Sequence, residues 1–492
     1  MKLSISNSAT FPFRHAMIAL SFLASTGIAS AQTTWYVDDD GPGDPFPGIS
    51  DPFNNFFSDP LEDGSVQNPF DDLWKAVTAA TDGDTVLVLP SNVTGSYFLS
   101  QSLDLQNKAI TIRGQGGPIA TTLDGAGIPG EAGVIADSGE TAATVFEGFR
   151  LRNFHIGTTA GNQGAAMTIL SSSPTIRDCW FESNSAYRGA AMWAFNSTSI
   201  IEDCRFVGNA STHQGGAVFT EIAAPTFSRC YFEGNAANYG GAMTSFTSTG
   251  KTVTIMDCVF YRNDALVGYG GGLSSHFTGG ITVERSRFIS NIAPGQGGAF
   301  FTTCPAVVRD CTFNSNVSTG DLGAVHAGIN TAVTIYGSTF HGNDGIACVE
   351  STGANLSIRN SICWNNTPFE FSPTINARFC VVLGGWVGGN LDVDPLFVDP
   401  FGPDSILGTL DDDFSLFNGS PCIDSGDSTQ LMIGYPVDLV GNPRAVNRPG
   451  TTDTGIAVVG QTTDMGAYEF QVISPAPNYD QFRSKGPTKV IL

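Results

Sequence analysis

Charge is scarce in this chain. Asp, Glu, Lys and Arg make up 14% of 492 residues, and the 23 Lys and Arg stand against 46 Asp and Glu, for a net charge of -23. Nucleic acids and anionic membranes bind basic surfaces, so this shortage of cations argues against both as partners. Few Lys, Glu and Arg also means few of the residues that favour helices. The six His are too few and too scattered for a zinc or iron centre. After residue 31 no stretch reaches the 18 or so apolar residues that a membrane-spanning helix needs.

The chain opens differently. Arg14 and His15 precede an apolar, small-residue run from Ala16 to Ala29, and Ala29-Ser30-Ala31 has the small-x-small form cut by a signal peptidase before Gln32. Residues 1–31 are expected to be a signal peptide, and the protein to be secreted or held at a bacterial cell surface. Turn and strand formers are abundant, with 58 Gly and 35 Phe in the whole chain. Ten Cys in an exported chain invite disulfides. Cys304 with Cys311 is one candidate pair, and Cys348, Cys363, Cys380 and Cys422 are further candidates.

The dominant feature is a repeat. Phe-x-x-Asn occurs at Phe181/Asn184, Phe206/Asn209, Phe232/Asn235, Phe260/Asn263, Phe288/Asn291, Phe313/Asn316 and Phe340/Asn343, at spacings of 25, 26, 28, 28, 25 and 27. Such a period signals stacked units that bury their apolar sides against one another. Two residues before the Phe stands Cys179, Cys204, Cys230, Cys258, Ser286, Cys311 or Ser338, on the same strand face. Five before it stands Ile176, Ile201, Phe227, Ile255, Val283, Val308 or Ile335. That odd step breaks alternation, which predicts a corner near Asp178, Asp203, Arg229, Asp257, Arg285 and Asp310. After each Asn a small-residue step such as Gly215-Gly216-Ala217-Val218 marks another turn and a return to the core. Strand, corner and strand in each repeat describe the coils of a parallel β-helix. The Asn column is expected to form a hydrogen-bonded ladder and the Cys column to be small buried hydrophobes.

The ends of such a stack must be covered. Leu73, Ala76, Val77 and Ala80 form one apolar stripe, which predicts a short capping helix behind Asp71 and Asp72. The expected organisation is an irregular segment over 32–68, a β-helix with its N-terminal cap over 69–383, and a terminating region over 384–492.

Gly215-Gly216-Ala217 and Gly297-Gly298-Ala299, together with the Phe-x-x-Asn steps, resemble the repeats of polymorphic outer membrane proteins and of pectate-lyase-like right-handed parallel β-helix proteins. Asp63-Gly64-Ser65-x-x-Asn68-Pro69-Phe70 looks like the start of many such helices, and Asp464-Met465-Gly466-Ala467-Tyr468-Glu469 like their closing region. The resemblance implies an all-β, right-handed solenoid. It implies no single activity, because the family holds adhesins, autotransported passengers, polysaccharide lyases and hydrolases. No catalytic motif of a particular member can be carried onto this chain.

The outward columns therefore supply the candidates. Trp180, Arg205, Tyr231, Tyr261, Arg262 and Arg287 fall on one lateral face, where aromatics and guanidinium groups suit a carbohydrate. The corner column alternates in sign from Asp203 onward and reads as an exposed charge ladder. Arg188, His213, Arg262, His276 and His326 are the candidate bases for a lyase, and Asp257 with Asp264 or Glu221 with Glu233 for a hydrolase; none of these forms a demonstrable pair in sequence. Asp38, Asp39 and Asp40, and Asp411, Asp412 and Asp413, offer hard oxygen ligands that suit Ca²⁺. The expectation is a secreted or surface β-helix that binds an extracellular polysaccharide or a cell-envelope component without catalysis, the alternative being a polysaccharide lyase or glycoside hydrolase.

Overall fold

A computed structural model describes residues 32–39, 62–91, 95–320, 323–329, 331–431, 437–448 and 453–471. The expected signal peptide and Asp40 lie outside them. The coils all belong to the compact unit Thr33–Leu492.

Each coil visits four faces. In one turn the chain runs through Thr175–Arg177, Trp180–Glu182, Ser185–Arg188 and Met192–Phe195, and Ile200–Glu202 then lands beside Thr175–Arg177. Stacking of successive coils gives parallel sheets of 13, 12, 8 and 10 strands among the described residues. Pairing is in register, so like meets like: Ile176 lies beside Ile201 and Phe181 beside Phe206. The corner between the first two faces is a single left-handed residue, with φ between 42° and 55° at Asp178, Asp203, Arg229, Asp257, Arg285 and Asp310. That one residue accounts for the break in alternation read from the sequence.

Inside, the Phe column stacks almost face to face. Rings from Phe181 to Phe340 are separated by 4.6 to 4.9 Å with planes within 6° of parallel. The Asn ladder forms as well. Asn235 donates its backbone N–H (3.0 Å) and its Nδ2 (2.9 Å) to Oδ1 of Asn263, and the second Nδ2 hydrogen goes to the Phe206 carbonyl at 2.9 Å. The pattern repeats from Asn184 to Asn366, so each buried amide is satisfied on both sides. All ten Cys are buried free thiols, which corrects the candidate disulfides. In the column each Sγ points to a nearby carbonyl, as from Cys204 to Glu202 at 3.2 Å, and acts as a packing group rather than half of a bridge.

The N-terminal mouth is covered by the helix Leu73–Ala79, whose Leu73, Ala76 and Val77 are buried and whose N-terminus is capped by the Asp72 side chain on Trp74 N–H. The segment expected to be irregular contributes the strand Thr34–Val37, which pairs with Thr85–Val88. At the other end the chain leaves the stack and doubles back. The antiparallel pair Phe397–Asp399 and Asp413–Leu416 and the turns up to residue 471 lie against the second face. No helix among the described residues is long and apolar enough to cross a membrane.

Candidate functional site

The lateral face singled out from sequence is the second face, and the returning C-terminal segment divides it. Tyr261 and Arg287 are only 7% and 4% exposed. Leu410 packs on the Val259–Tyr261–Ile289 cluster, and Arg287 donates to the Leu410 carbonyl at 3.1 Å. Arg262 stays exposed over the Tyr261 ring. Trp180 is buried beneath Arg205, whose guanidinium sits 5.1 Å from the ring centroids of both Trp180 and Tyr231. The sequence has no signal for this covering, because the segment that does it lies more than a hundred residues away.

Beside that sandwich is a cavity of about 320 Å³, walled by Asp203, Arg229, Asp257 and Arg285 and roofed by Leu439 and Val440. The charge ladder here forms pairs rather than a continuous chain: Arg229 with Asp203 at 2.9 Å and Arg285 with Asp257 at 2.7 Å. Asp310, the next in the column, is taken by Arg444 of the C-terminal segment at 2.6 Å.

Of the acidic runs, Asp411 and Asp412 converge with Asp404, their oxygens lying within 4.8 Å of one another. Asp413 stands apart, and its carboxylate closes a turn on Ser415 N–H at 2.9 Å. Asp39 accepts from the Ser91 hydroxyl, Asp38 is buried, and neither belongs to an acidic cluster among the described residues. The three clustered carboxylates are hard donors able to hold a metal ion. Asp412 Oδ2 is already engaged by Gly408 N–H at 2.7 Å, Thr409 N–H at 3.2 Å and the Asn314 amide. Burial raises its pKa.

A second surface, on the corner between the third and fourth faces, emerges only in three dimensions. That corner is a glycine with φ of 53° to 70° at Gly189, Gly215, Gly240, Gly270 and Gly297. At Gly215 a Cβ would lie 2.0 Å from the Val218 carbonyl oxygen, and at Gly189 2.4 Å from that of Met192, so no larger residue fits. The glycine fixes the residue before it, and the column reads Arg188, Gln214, Tyr239, Tyr269, Gln296. Around it the rings form an unbroken strip over six coils. Centroid separations are 4.9 Å from Tyr187 to His213, 5.8 Å to Tyr239, 4.8 Å to Tyr269, 4.4 Å to Phe301 and 5.6 Å to His326. At about 4.8 Å per coil the strip is roughly 24 Å long.

Three of the candidate bases, His213, His276 and His326, thus share one strip with Arg188, while Arg262 stands at the corner between the second and third faces. His276 is 9% exposed and touches Tyr269 and Phe301, with ring centroids at 5.1 and 5.5 Å. Burial pulls its pKa down to about 4, so the imidazole is neutral at pH 7, and its Nε2 has no hydrogen-bond partner. His213 is lowered too, by burial and then by Arg188. His326 is held between Glu350 at 3.4 Å and Thr352 at 3.3 Å. Nε of Arg188, Nε1 of Trp193 and Oε1 of Gln163 are likewise buried without partners. The usable signal in the sequence was the residue just before each glycine step. The proposed carboxylate pair Glu221 and Glu233 is split between the fourth and second faces.

With four parallel faces and their register described, comparison with known proteins gives the fold its name. Residues 109–288 match the family model for a right handed beta helix region. The chain is a right-handed parallel β-helix. Among solved structures it is similar to pectate lyase Pel9A, with TM-score 0.47, 16% identity, and coverage of 89% of this chain and 97% of that one. It is similar to a rhamnogalacturonan lyase, with TM-score 0.45, 12% identity and coverage of 78% and 97%. It also resembles a GH87 α-1,3-glucanase from Streptomyces thermodiastaticus, with TM-score 0.37, 14% identity and coverage of 64% and 65%. No curated protein matches the sequence.

Proposed function

We propose that this right-handed β-helix is an exported protein that engages an extracellular polysaccharide along the half-buried part of the strip, from Tyr187 to Tyr269. One observation carries the reading: a continuous row of rings coincides with buried polar atoms that lack partners, at Arg188, Trp193, His276 and Gln163. A buried polar atom left unpaired costs about 1–3 kcal/mol, and side-chain shifts that open these atoms to a hydroxyl-rich polymer on the strip would supply the missing bonds. Coil spacing close to the advance of an extended sugar chain lets one repeat serve each sugar. Affinity electrophoresis against a panel of soluble polysaccharides tests this. The Tyr239→Ala, Tyr269→Ala double variant is expected to lose retardation by at least tenfold in apparent affinity. Unchanged retardation in a folded double variant refutes the strip as the site.

A second reading, depolymerisation, is favoured by His276. A neutral imidazole with an uncommitted Nε2 beside the Tyr269 phenol is a pair of proton-transfer groups placed where a sugar would lie. New reducing or unsaturated ends that appear with the natural protein and vanish in His276→Ala support it; unchanged chain length leaves binding alone. Arg205 and Tyr231, backed by the buried Trp180 and with Arg262 at the margin, form a second sugar-contacting surface in this reading, while Tyr261 and Arg287 seat the C-terminal segment. Ca²⁺ is the ion proposed for Asp404, Asp411 and Asp412. Export is supported by the leader pattern before Gln32, and N-terminal sequencing of secreted protein should begin at that residue.

A further inference from the structure

We infer that the polymer laid on the strip is a neutral glycan, one that presents hydroxyls and no carboxylates. This rests on the strip being the binding surface and concerns only what lies there. The unpartnered atoms are mixed in kind: Arg188 Nε and Trp193 Nε1 donate, Gln163 Oε1 accepts, and His276 Nε2 does either according to its tautomer. A hydroxyl can answer each of them, because it both donates and accepts. A carboxylate only accepts, and it would meet the Gln163 oxygen and an unprotonated imidazole with like polarity.

Charge points the same way. Among the described residues of the strip Arg188 is the one guanidinium, and it is spread over the Tyr187 and Phe219 rings at 5.3 and 5.1 Å. The outward side chains of the fourth face add Glu221, in register with Phe246 and His276, and Glu350, in register with His326. The chain as a whole carries -23. One carboxylate per sugar along the strip would meet one cation and one anion within it, with Glu350 one coil beyond its end. Burial adds to this by keeping His276 uncharged at neutral pH and by shifting His213 in the same direction. The second face differs: Arg205 and Arg287 lie on it and Arg262 at its margin, while Arg229 and Arg285 at its other corner are neutralised by Asp203 and Asp257. A neutral glycan also restricts the chemistry. Without a carboxyl group next to C5 there is no acidified proton for β-elimination, so any cleavage on this strip is hydrolysis, with water adding across the glycosidic bond and a new reducing end released.

The test compares mixed-linkage glucan, xylan and galactomannan with polygalacturonate and alginate, at low and high ionic strength, using the full exported chain and the Tyr239→Ala, Tyr269→Ala variant. The expected result is retention of one or more neutral polymers, affected less than twofold by salt and lost at least tenfold in the variant. Retention of the uronates alone, weakening with salt and lost in the variant, overturns the neutral assignment and leaves the strip intact as the site. Retention of any polymer that the variant does not diminish overturns the strip itself. Binding of neither class overturns both.

Discussion

The coils from about 165 to 365 and the segment from 397 to 471 are held by opposite means. In the coils each contact is one of a series: Phe on Phe, Asn on Asn, Cys above Cys. The C-terminal segment has no series. It is fastened by contacts that each occur once, as from the Ser290 hydroxyl to the Gly408 carbonyl at 2.8 Å, from the Asn360 amide to the Asp427 carbonyl at 3.0 Å, and from Ala467 N–H to the Thr339 hydroxyl at 3.0 Å. Its centre is the buried Arg444, which reaches Asp310 at 2.6 Å, the Gly466 carbonyl at 2.8 Å and Glu469 at 3.4 Å. A series spreads its stability over many like interfaces; a single buried ion cluster concentrates it.

Four changes probe that difference. The largest expected effect is that of Phe260→Ala, which removes a ring stacked at 4.6 Å on both neighbours and should cost about 3–5 kcal/mol in denaturant unfolding. A loss well below that would mean the series absorbs a missing member. Arg444→Met leaves Asp310, Glu469 and Asp464 buried without their cation, a change of about 3–5 kcal/mol. Its effect should be local, with hydrogen exchange rising over 397–471 while the coil amides stay protected. Equal exposure of both regions would erase the distinction. Third is Glu370→Gln. Burial pushes Glu370 up to about 7, above its unfolded value of about 4.3. A raised carboxyl contributes stability that is present below the unfolded value and lost as pH rises through the folded one. The natural protein should therefore lose roughly 4 kcal/mol across that interval relative to the Gln variant, read as diverging melting temperatures. The smallest is Arg229→Ala, which breaks an ion pair whose Arg side chain is 51% exposed and should change stability by about 0–1 kcal/mol.

The same contrast explains what could be read in advance. A repeated residue announces its role several times over, so the Phe core, the Asn ladder, the left-handed corner at Asp203 and Arg229 and the stripe of Leu73, Ala76 and Val77 were all legible. A contact made once leaves no such trace. Nothing near Leu410 indicates that it covers Tyr261, and nothing near Asp404 indicates that it joins Asp411 and Asp412. The strip falls between these cases. His213, His276 and His326 sit at different offsets from their glycines, which hid their convergence, yet Arg188, Tyr239 and Tyr269 each directly precede a corner glycine. Side-chain direction, unlike strand position, depends on which residue takes the left-handed turn.

The Asn ladder also gives the molecule a polarity. Each Asn donates twice towards the next coil and accepts twice from the one before, so the row of amides points one way, from Phe154 N–H, which donates to Asn184, towards Asn366. At the last step the donors of Asn366 meet the Glu370 carboxyl group, which accepts from both and hands nothing on. A coil duplicated within the row would find both its neighbours prepared, so the protein can lengthen by whole turns in its middle. Past Glu370 no acceptor of the same kind continues the row among the described residues. The row of amides thus meets a full stop at Glu370, and past it only the strands Asn376–Arg378 and Val381–Val382 extend the stack among the described residues.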